Sequence, residues 1–405
     1  MNNKNLLLKD NIKLNKLGIN SSDFFLKRFE KIFSNLKKDI KKKNKTLNIF
    51  DSKFKYNFKK KDLKNFKKFE TIALIGMGGS ILGPKAIYNF LQKKIKKKIY
   101  FFDDLDENKV KDLKKKKNLS KILFIIVSKS GNTIETLSNT FALKIIKKNA
   151  KNIILISEKK ENFLFSLSKK LNLFYVEHKS HIGGRYSVLS EVGLIPAYIM
   201  GLNIDKLRSK IQDCLKEKNK NFIKRSSIKL ANLMKSKKYN NLIFLNYSPE
   251  LEKFLYWSQQ LIAESLGKKN KGFLPVISNV PKDHHSLLQL YLDGPKDKFF
   301  TIFSFEKNSQ EKVKINKNIG LDSFLNNKKL SKIKYAQKQA LIKSFIKNKI
   351  PFREFLIKAN NEEVLGELFS IFIIETIILG KLLRLNPFDQ PAVEQVKVFT
   401  KQLLT

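Results

Sequence analysis

Residues 121–136, Lys-Ile-Leu-Phe-Ile-Ile-Val-Ser-Lys-Ser-Gly-Asn-Thr-Ile-Glu-Thr, decide the fold of this chain. The first part, 122–127, is a continuous apolar run, which is typical of a strand buried on both faces of a parallel sheet. Small polar side chains, a lysine and a glycine fill 128–133, and the apolar spacing that follows predicts a helix from Ile134 to Lys148. Backbone N–H groups and hydroxyls at such a helix start favour a bound phosphate group. The alternative is that Ser130 or Asn132 is only a helix N-cap.

Further strands of the buried type are predicted at 71–75, 98–102, 152–157 and 173–176, with helical segments between them. This alternation indicates an α/β fold built on a doubly wound parallel sheet. Ligands bind beyond the carboxyl ends of the strands in such sheets. The turns that follow 71–75 and 122–127 are therefore expected to share one site.

The first of these turns is glycine-rich and reads Gly-Met-Gly-Gly-Ser at 76–80. Its glycines let the backbone approach a ligand closely, and Ser80 lies where a hydroxyl would face an anion. Ile81 replaces the third glycine of the dinucleotide fingerprint, and Pro84 follows Gly83 where a P-loop needs lysine. Nicotinamide cofactors and ATP are therefore disfavoured, while a plain tight turn is the alternative interpretation.

The length of 405 residues predicts two core domains with helical additions. We expect an N-terminal helical segment at 1–65, α/β domains at 66–205 and 206–365, and a C-terminal helical segment at 366–405 that completes the site. The sequence contains no run of about 18 uncharged apolar residues, so we expect no membrane span. The single cysteine, Cys214, excludes an intrachain disulfide, and the N-terminus lacks a signal-peptide pattern, so we expect a cytoplasmic protein.

The net charge of +46 raises the possibility of a nucleic-acid partner. However, nearly all of the basic residues are lysine, and they are spread along the whole chain among Asn, Ile and Phe. Arginine interleaved with aromatic residues, which is typical of RNA-binding surfaces, is absent. Specific nucleic-acid binding is therefore disfavoured and stays only as an alternative based on charge.

Four later residues are candidates for chemistry: Arg185, Glu264, His285 and Lys397. Arg185 follows two glycines and is suited to multidentate contact with oxygen, or it bonds only to loop carbonyls. Glu264 shares the apolar flank of a helix, which favours a base of raised pKa, or it simply reaches solvent. His285, next to His284, is suited to acid–base work near neutral pH, without ligand spacing for a metal. Lys397 lies on an apolar stripe or is a surface lysine.

Six blocks of this sequence together resemble the phosphoglucose isomerase family, over roughly 70–405. The blocks are Gly-Met-Gly-Gly-Ser at 76–80, Ser-Lys-Ser-Gly-Asn-Thr-Ile-Glu-Thr at 128–136, Gly-Gly-Arg-Tyr-Ser at 183–187, Gln-Leu-Ile-Ala-Glu-Ser-Leu-Gly-Lys at 260–268, the region around 285, and Asn-Pro-Phe-Asp-Gln-Pro-Ala-Val-Glu at 386–394. Any one block is a weak signal, but six in order are specific. The resemblance implies two sugar-isomerase-type α/β domains with parallel sheets flanked by helices. It also implies a homodimer with sites at the subunit interface.

The resemblance further implies interconversion of glucose 6-phosphate and fructose 6-phosphate without metal or cofactor. Substrate-binding positions carried over by motif are Gly79, Ser80, Ser128, Lys129, Ser130, Thr133 and Gln390. Glu264 would move the proton between C2 and C1 through a cis-enediol, and Arg185 would stabilise its charge. His285 and Lys397 would assist ring opening. Ala392 and Val396 replace glycines usual in the family, which makes Lys397 the least secure assignment.

Rival interpretations remain open at this point. An isomerase that also accepts mannose phosphate would need the same phosphate-binding turn. A non-catalytic module that binds sugar phosphate would need that turn but not Glu264, His285 and Lys397 together. Substrate assays separate these possibilities.

Overall fold

The computed structural model describes residues 5–20, 23–115, 118–306, 309–315 and 324–405. Its strands are β1 (Leu6–Asp10), β2 (Thr71–Gly76), β3 (Lys98–Phe102), β4 (Ile122–Val127), β5 (Ile153–Ser157), β6 (Phe174–Glu177), β7 (Asn241–Asn246), β8 (Leu274–Asn279), β9 (Lys298–Phe305) and β10 (Phe352–Ile357). Its helices are α1 (Asp23–Ile40), α2 (Lys60–Leu63), α3 (Leu82–Leu91), α4 (Glu107–Lys114), α5 (Ile134–Ala142), α6 (Phe163–Leu171), α7 (Glu191–Ile199), α8 (Ile204–Ser209), α9 (Glu217–Lys235), α10 (Glu252–Leu266), α11 (Leu288–Leu292), α12 (Leu330–Lys347), α13 (Glu362–Leu382) and α14 (Val393–Leu404).

The first sheet has the strand order β3-β2-β4-β5-β6, and all of its strand pairs are parallel. Every residue of the central strand β4 is buried, as its continuous apolar run predicts. Gly76 of β2 pairs with Val127 of β4, so the two strands end side by side. This register brings the two polar turns predicted to form one site to the same edge of the sheet.

The predicted helix from Ile134 to Lys148 was too long. The helix ends at Ala142, and Lys144 adopts a left-handed backbone with φ of +52°. The chain turns there, so that Leu143 and Ile145 are buried against the far side of the sheet while Phe141 stays exposed. Burial of apolar side chains beyond the turn has therefore overridden helical periodicity.

The second sheet has the order β1-β10-β9-β7-β8. Its core strands are parallel, and β1 adds an antiparallel edge strand from the N-terminal segment. Both sheets are flanked by helices, which confirms the predicted α/β class, while the domain boundaries stay a prediction. The sequence pattern predicts strands at 241–247 and 299–305, which correspond to β7 and β9, but it does not predict β1, β8 or β10.

The helix α13 forms the centre of the larger core, where 19 of its residues are buried. It packs against α8, α9 and α10. The ring of Phe369 on α13 meets that of Trp257 on α10 edge-on, with centroids 4.7 Å apart. On another side, α10 packs closely against α3 of the first sheet. The helix that carries Glu264 is thus fixed between the two halves of the chain. None of the described helices is both long and apolar enough to cross a membrane.

Candidate active site

Three hydroxyl groups gather in the turn after β4. Ser128 Oγ and Thr133 Oγ1 are 2.7 Å apart, and Ser130 Oγ lies 3.4 Å from the first and 3.5 Å from the second. Thr133 immediately precedes α5 but makes no side-chain cap hydrogen bond. Thr133 Oγ1 is therefore not consumed by helix capping, and the three hydroxyls lie at a helix N-terminus that favours an anion.

The turn keeps its shape through Gly131 and Asn132. Gly131 has φ of +72°, and a Cβ there would come within 1.7 Å of Asn162 Oδ1, so only glycine fits. Asn132 Oδ1 accepts a hydrogen bond of 2.9 Å from the backbone N–H of Phe163 at the start of α6. Asn132 is therefore structural, and the serine hydroxyls also support the turn: Ser128 Oγ and Ser130 Oγ accept hydrogen bonds from the backbone N–H groups of Gly131 and Asn132 at 3.1 and 3.3 Å.

The ammonium of Lys129 lies beside this turn, toward the end of β6. Its Nζ donates to the carbonyl of Ser180 at 2.8 Å and lies 3.5 Å from Glu158 Oε1. Burial lowers the pKa of Lys129, and Glu158 partly opposes that shift. Behind it, His178 is fully buried with its Nδ1 donating to the Lys179 carbonyl. Burial and the charge of Lys129 lower the pKa of His178 to about 4, so this imidazole is neutral.

The glycine-rich turn presses against the loop that carries Arg185. A Cβ on Gly79 would lie 2.2 Å from the carbonyl carbon of Gly184 and 2.6 Å from the backbone N of Arg185. The two backbones therefore touch without a side chain between them. Ser80, half-buried, lies in the short 3-10 helix Gly78–Ser80 that leads into α3. This contact fixes the position of Arg185 relative to the first sheet.

Arg185 is 1% exposed and joins three segments that are distant in sequence. Its Nε donates to Ser265 Oγ at 2.8 Å, and its Nη2 donates to the carbonyls of Pro387 and Asp389 at 2.6 and 3.0 Å. Its Nη1 donates to Glu264 Oε2 at 3.2 Å and also to Gln390 Oε1. The two interpretations of Arg185, a structural role on loop carbonyls and a role in the site, are therefore compatible, because it bonds to carbonyls and also to Glu264.

The carboxylate of Glu264 is held on both sides. Arg185 contacts Oε2, and Gln260 Nε2, one helical turn earlier on α10, donates to Oε1 at 2.9 Å. Gln260 in turn lies against Gly78, where a Cβ would come within 2.8 Å of its Nε2. The side chain of Glu264 is 29% exposed, so the held carboxylate remains open to a ligand.

Sequence reasoning missed Gln260, Ser265 and Tyr186 as members of this network. Gln260 lies four residues before Glu264, a spacing that puts both on one helix face and was the available signal. Ser265 Oγ lies 2.8 Å from the Tyr186 hydroxyl, which also donates to the Pro387 carbonyl at 2.7 Å. No local sequence pattern predicts that second connection.

His285 and Lys397 lie apart from this cluster. His285 is exposed at the end of the short helix Lys282–His285 after β8, whereas its neighbour His284 lies 3.1 Å from the Tyr247 hydroxyl. Lys397 is 64% exposed on α14 and pairs with Glu394 at 2.7 Å. Within one copy of the chain, the described contacts therefore unite Arg185, Glu264 and Gln390 but not these two residues.

No group of three or more His, Cys, Asp or Glu side chains suited to a metal ion occurs among the described residues. The donor set at the site consists of hydroxyls, amides, an ammonium and a guanidinium. These groups match a phosphorylated, hydroxyl-rich ligand better than a cation.

Parallel sheets that carry a hydroxyl-rich turn beside a held carboxylate and arginine define an α/β protein of the sugar-isomerase type. Solved structures show the same fold. A hypothetical protein from Thermus thermophilus superposes with a TM-score of 0.84 at 24% identity, over 99% of this chain and 100% of that one. A glucose-6-phosphate isomerase from Chlamydia trachomatis superposes with a TM-score of 0.69 at 21% identity, over 85% of this chain and 71% of that one.

The chain belongs to the phosphoglucose isomerase family, whose family model matches residues 35–273. A probable glucose-6-phosphate isomerase from Methanococcus maripaludis is 35% identical over 84% of this chain and 80% of that protein. The glucose-6-phosphate isomerase of Methanocaldococcus jannaschii is 32% identical over 84% of this chain and 86% of that protein. The resemblance stated from the six sequence blocks is thereby confirmed.

Proposed function

We propose that this protein interconverts glucose 6-phosphate and fructose 6-phosphate, as its relatives are named for doing. The observation that carries the proposal is the carboxylate of Glu264, which is held between Arg185 and Gln260. Proton transfer beside a carbonyl needs a positioned base and a cation near the developing oxyanion. Glu264 is proposed as that base and Arg185 as that cation.

The phosphate group of the substrate would be bound by the turn at 128–133. Ser128, Ser130 and Thr133 supply hydroxyls, the start of α5 supplies backbone N–H groups, and Lys129 supplies positive charge. Gly79 and Ser80 close the other side. Contacts to a phosphate far from the reacting carbons provide binding free energy that orients the sugar.

The proton transfer assigned to Glu264 balances within the substrate. Starting from the open-chain aldose, Glu264 removes the proton from C2, and the carbonyl oxygen at C1 takes up a proton to give the cis-enediol. The enediol then loses its proton from the oxygen on C2, and Glu264 returns a proton to C1, which gives the ketose. Arg185 stabilises negative charge on the oxygens during both steps. Gln260 keeps the carboxylate oriented, and Gln390 lies beside the same guanidinium.

His285 and Lys397 are proposed to assist ring opening, and both are exposed in a single copy of the chain. The helix α14 has no buried residue and exposes Val396, Val398 and Phe399 to solvent. Apolar side chains on one terminal helix are stabilised when another surface covers them. We propose a homodimer in which this covering brings the two residues of the ring-opening pair to a site.

We expect the reaction to need no cofactor or metal, and we place the protein in the cytoplasm. We propose no nucleic-acid partner, because the hydroxyl-rich turn at 128–133 and the carboxylate of Glu264 suit a small phosphorylated substrate. The glycolytic and gluconeogenic directions both follow from a reversible isomerisation.

The test is a coupled assay of fructose 6-phosphate conversion with EDTA present. Turnover by the purified, folded protein is expected, and binding without turnover would instead identify a sugar-phosphate-binding module. Glu264→Gln should slow exchange of the substrate C2 proton with solvent by about 10²–10⁴-fold, because the general base is lost while binding groups remain. The matched control is Glu107→Gln, which changes an exposed carboxylate that pairs with Lys111.

A further inference from the structure

A second cavity of about 590 Å³ lies away from the candidate active site. It is bounded by β1, by residues near Asp213, and by one face of α9. None of the residues that form the candidate active site lines it. Its volume is that of a pocket for a metabolite-sized ligand.

The face of α9 that lines this cavity follows helical spacing. Lys218, Asn221, Phe222, Arg225 and Lys229 lie at i, i+3, i+4, i+7 and i+11. Residues at these offsets project from one side of a helix. The cavity therefore presents two unbranched cations, a guanidinium, an amide and a half-buried ring to the same space.

The acidic residues of the cavity are already neutralised. Lys229 Nζ lies 2.6 Å from Asp10 Oδ2, and Lys216 Nζ lies 2.6 Å from Asp213 Oδ1. Lys218 and Arg225 form no ion pair with any described carboxylate. Two positive charges thus remain in the cavity without an internal counterion.

Arg225 is set apart from the other arginines, of which the chain has six among 82 basic residues. Each of the other five has an internal role: Arg28 donates to the Lys381 carbonyl, Arg185 to the site described above, Arg208 to the Leu189 carbonyl, Arg353 to Glu375, and Arg384 lies over the Phe24 ring. Arg225 makes no hydrogen bond, ion pair or ring contact within the described part of the chain. A solvated basic face would be satisfied by lysine, which fills nearly all other basic positions here, whereas a planar guanidinium fork suits bidentate contact with an oxyanion.

We propose that this cavity binds a small organic phosphate, with Arg225 and Lys218 as its charge partners. A phosphate monoester carries a charge of about −1.5 to −2 at neutral pH, which matches the two unpaired cations. The amide of Asn221 can donate to the same group, and Phe222 and Leu8 offer an apolar wall to the organic part. The site is separate from the one that would hold the substrate.

The experiment is an NMR titration of the full-length protein with inorganic phosphate as the probe, at physiological salt. Only six arginine Nε–Hε signals are expected, because the chain has six arginines. The signal of Arg225 is identified by its disappearance in Arg225→Gln. We expect it to shift saturably with phosphate, and Lys218→Gln should weaken that binding about tenfold because one charge-assisted contact is lost.

Arg384 provides the internal control, since it is also exposed but lies over an aromatic ring. Equal, non-saturating shifts at Arg225 and Arg384 would mean that phosphate is only attracted to the overall charge, and the proposal would be wrong. Arg225→Gln should leave isomerase turnover unchanged. The titration does not depend on turnover, so failure of the proposed activity and failure of this site are distinguishable.

Discussion

Replacement of Gly79 by alanine is the sharpest probe of how the backbone positions the candidate site. The new Cβ would lie 2.2 Å from the carbonyl carbon of Gly184, about 1.2 Å inside the 3.4 Å at which ordinary contact begins. The three nearest atoms, the carbonyl carbon and oxygen of Gly184 and the N of Arg185, all belong to backbone, so no flexible side chain can move aside. The loop that carries Arg185 must therefore shift by roughly an ångström.

A misplacement of about 1 Å in a catalytic group can reduce activity by about 10²-fold, so we expect that loss in kcat/KM for Gly79→Ala. Overpacking should also lower the free energy of unfolding by about 1–3 kcal/mol. The assay is the coupled conversion of fructose 6-phosphate, with circular dichroism at the assay temperature to establish that the variant is folded.

The matched control is Gly184→Ala, on the other side of the same contact. Its Cβ would meet only the Cα of Gly79, at an ordinary 3.9 Å. We therefore expect nearly wild-type activity from this variant. If the two variants were equally active, or equally inactive, close backbone approach would not be what positions Arg185.

Three further outcomes follow from buried polar groups. Ser265→Ala should lower kcat and cost about 1–3 kcal/mol in stability, because it leaves the buried Arg185 Nε without its acceptor; kinetics and urea unfolding check both, and unchanged kcat would contradict it. Glu354→Gln should lower the free energy of unfolding by about 3–5 kcal/mol, because it breaks the buried ion pair with Lys338 and leaves that ammonium uncompensated. Its control in the same urea unfolding experiment is Glu107→Gln, which removes one member of an exposed pair and should change that free energy by under about 1 kcal/mol. The pKa of His178 is 6.5 in the unfolded chain and about 4 in the folded protein, because burial favours the neutral imidazole. The resulting contribution to the free energy of unfolding, about 3 kcal/mol, is complete above pH 6.5 and is lost as pH falls from 6.5 to 4. Unfolding of His178→Gln measured across that range should show a shallower dependence on pH, and an unchanged slope would contradict the assignment.

The first sheet was predictable because its strands carry their own signal. The six residues of β4 are apolar and all buried, so burial on both faces is readable from the sequence. The strand β10 was not predictable, since it contains Arg353 and Glu354. Both are buried and paired with residues of other elements, Arg353 with Glu375 and Glu354 with Lys338. Charged residues are predicted to be exposed, because their distant partners in the fold cannot be identified from a single sequence.

The candidate site divides in the same way. Residue types and spacing indicated the hydroxyls at 128–133 and singled out Arg185 and Glu264. Their meeting depends on the packing of α10 against α3 and on the chain returning at 386–390. The assignments of His285 and Lys397 stay predictions, because within one copy both lie on exposed surface. A residue supplied by a second copy leaves no mark in the pattern of a single sequence.

Arg185 bonds to backbone carbonyls that are synthesised long after it. The Pro387 carbonyl that accepts its hydrogen bond lies 202 residues downstream. While the protein is being synthesised from its N-terminus, the first sheet can form long before those carbonyls exist. A chain released before 386–390 would keep the hydroxyl-rich turn at 128–133 yet leave the guanidinium without its partners at 387–390. Activity in this fold therefore reports that translation has passed residue 390.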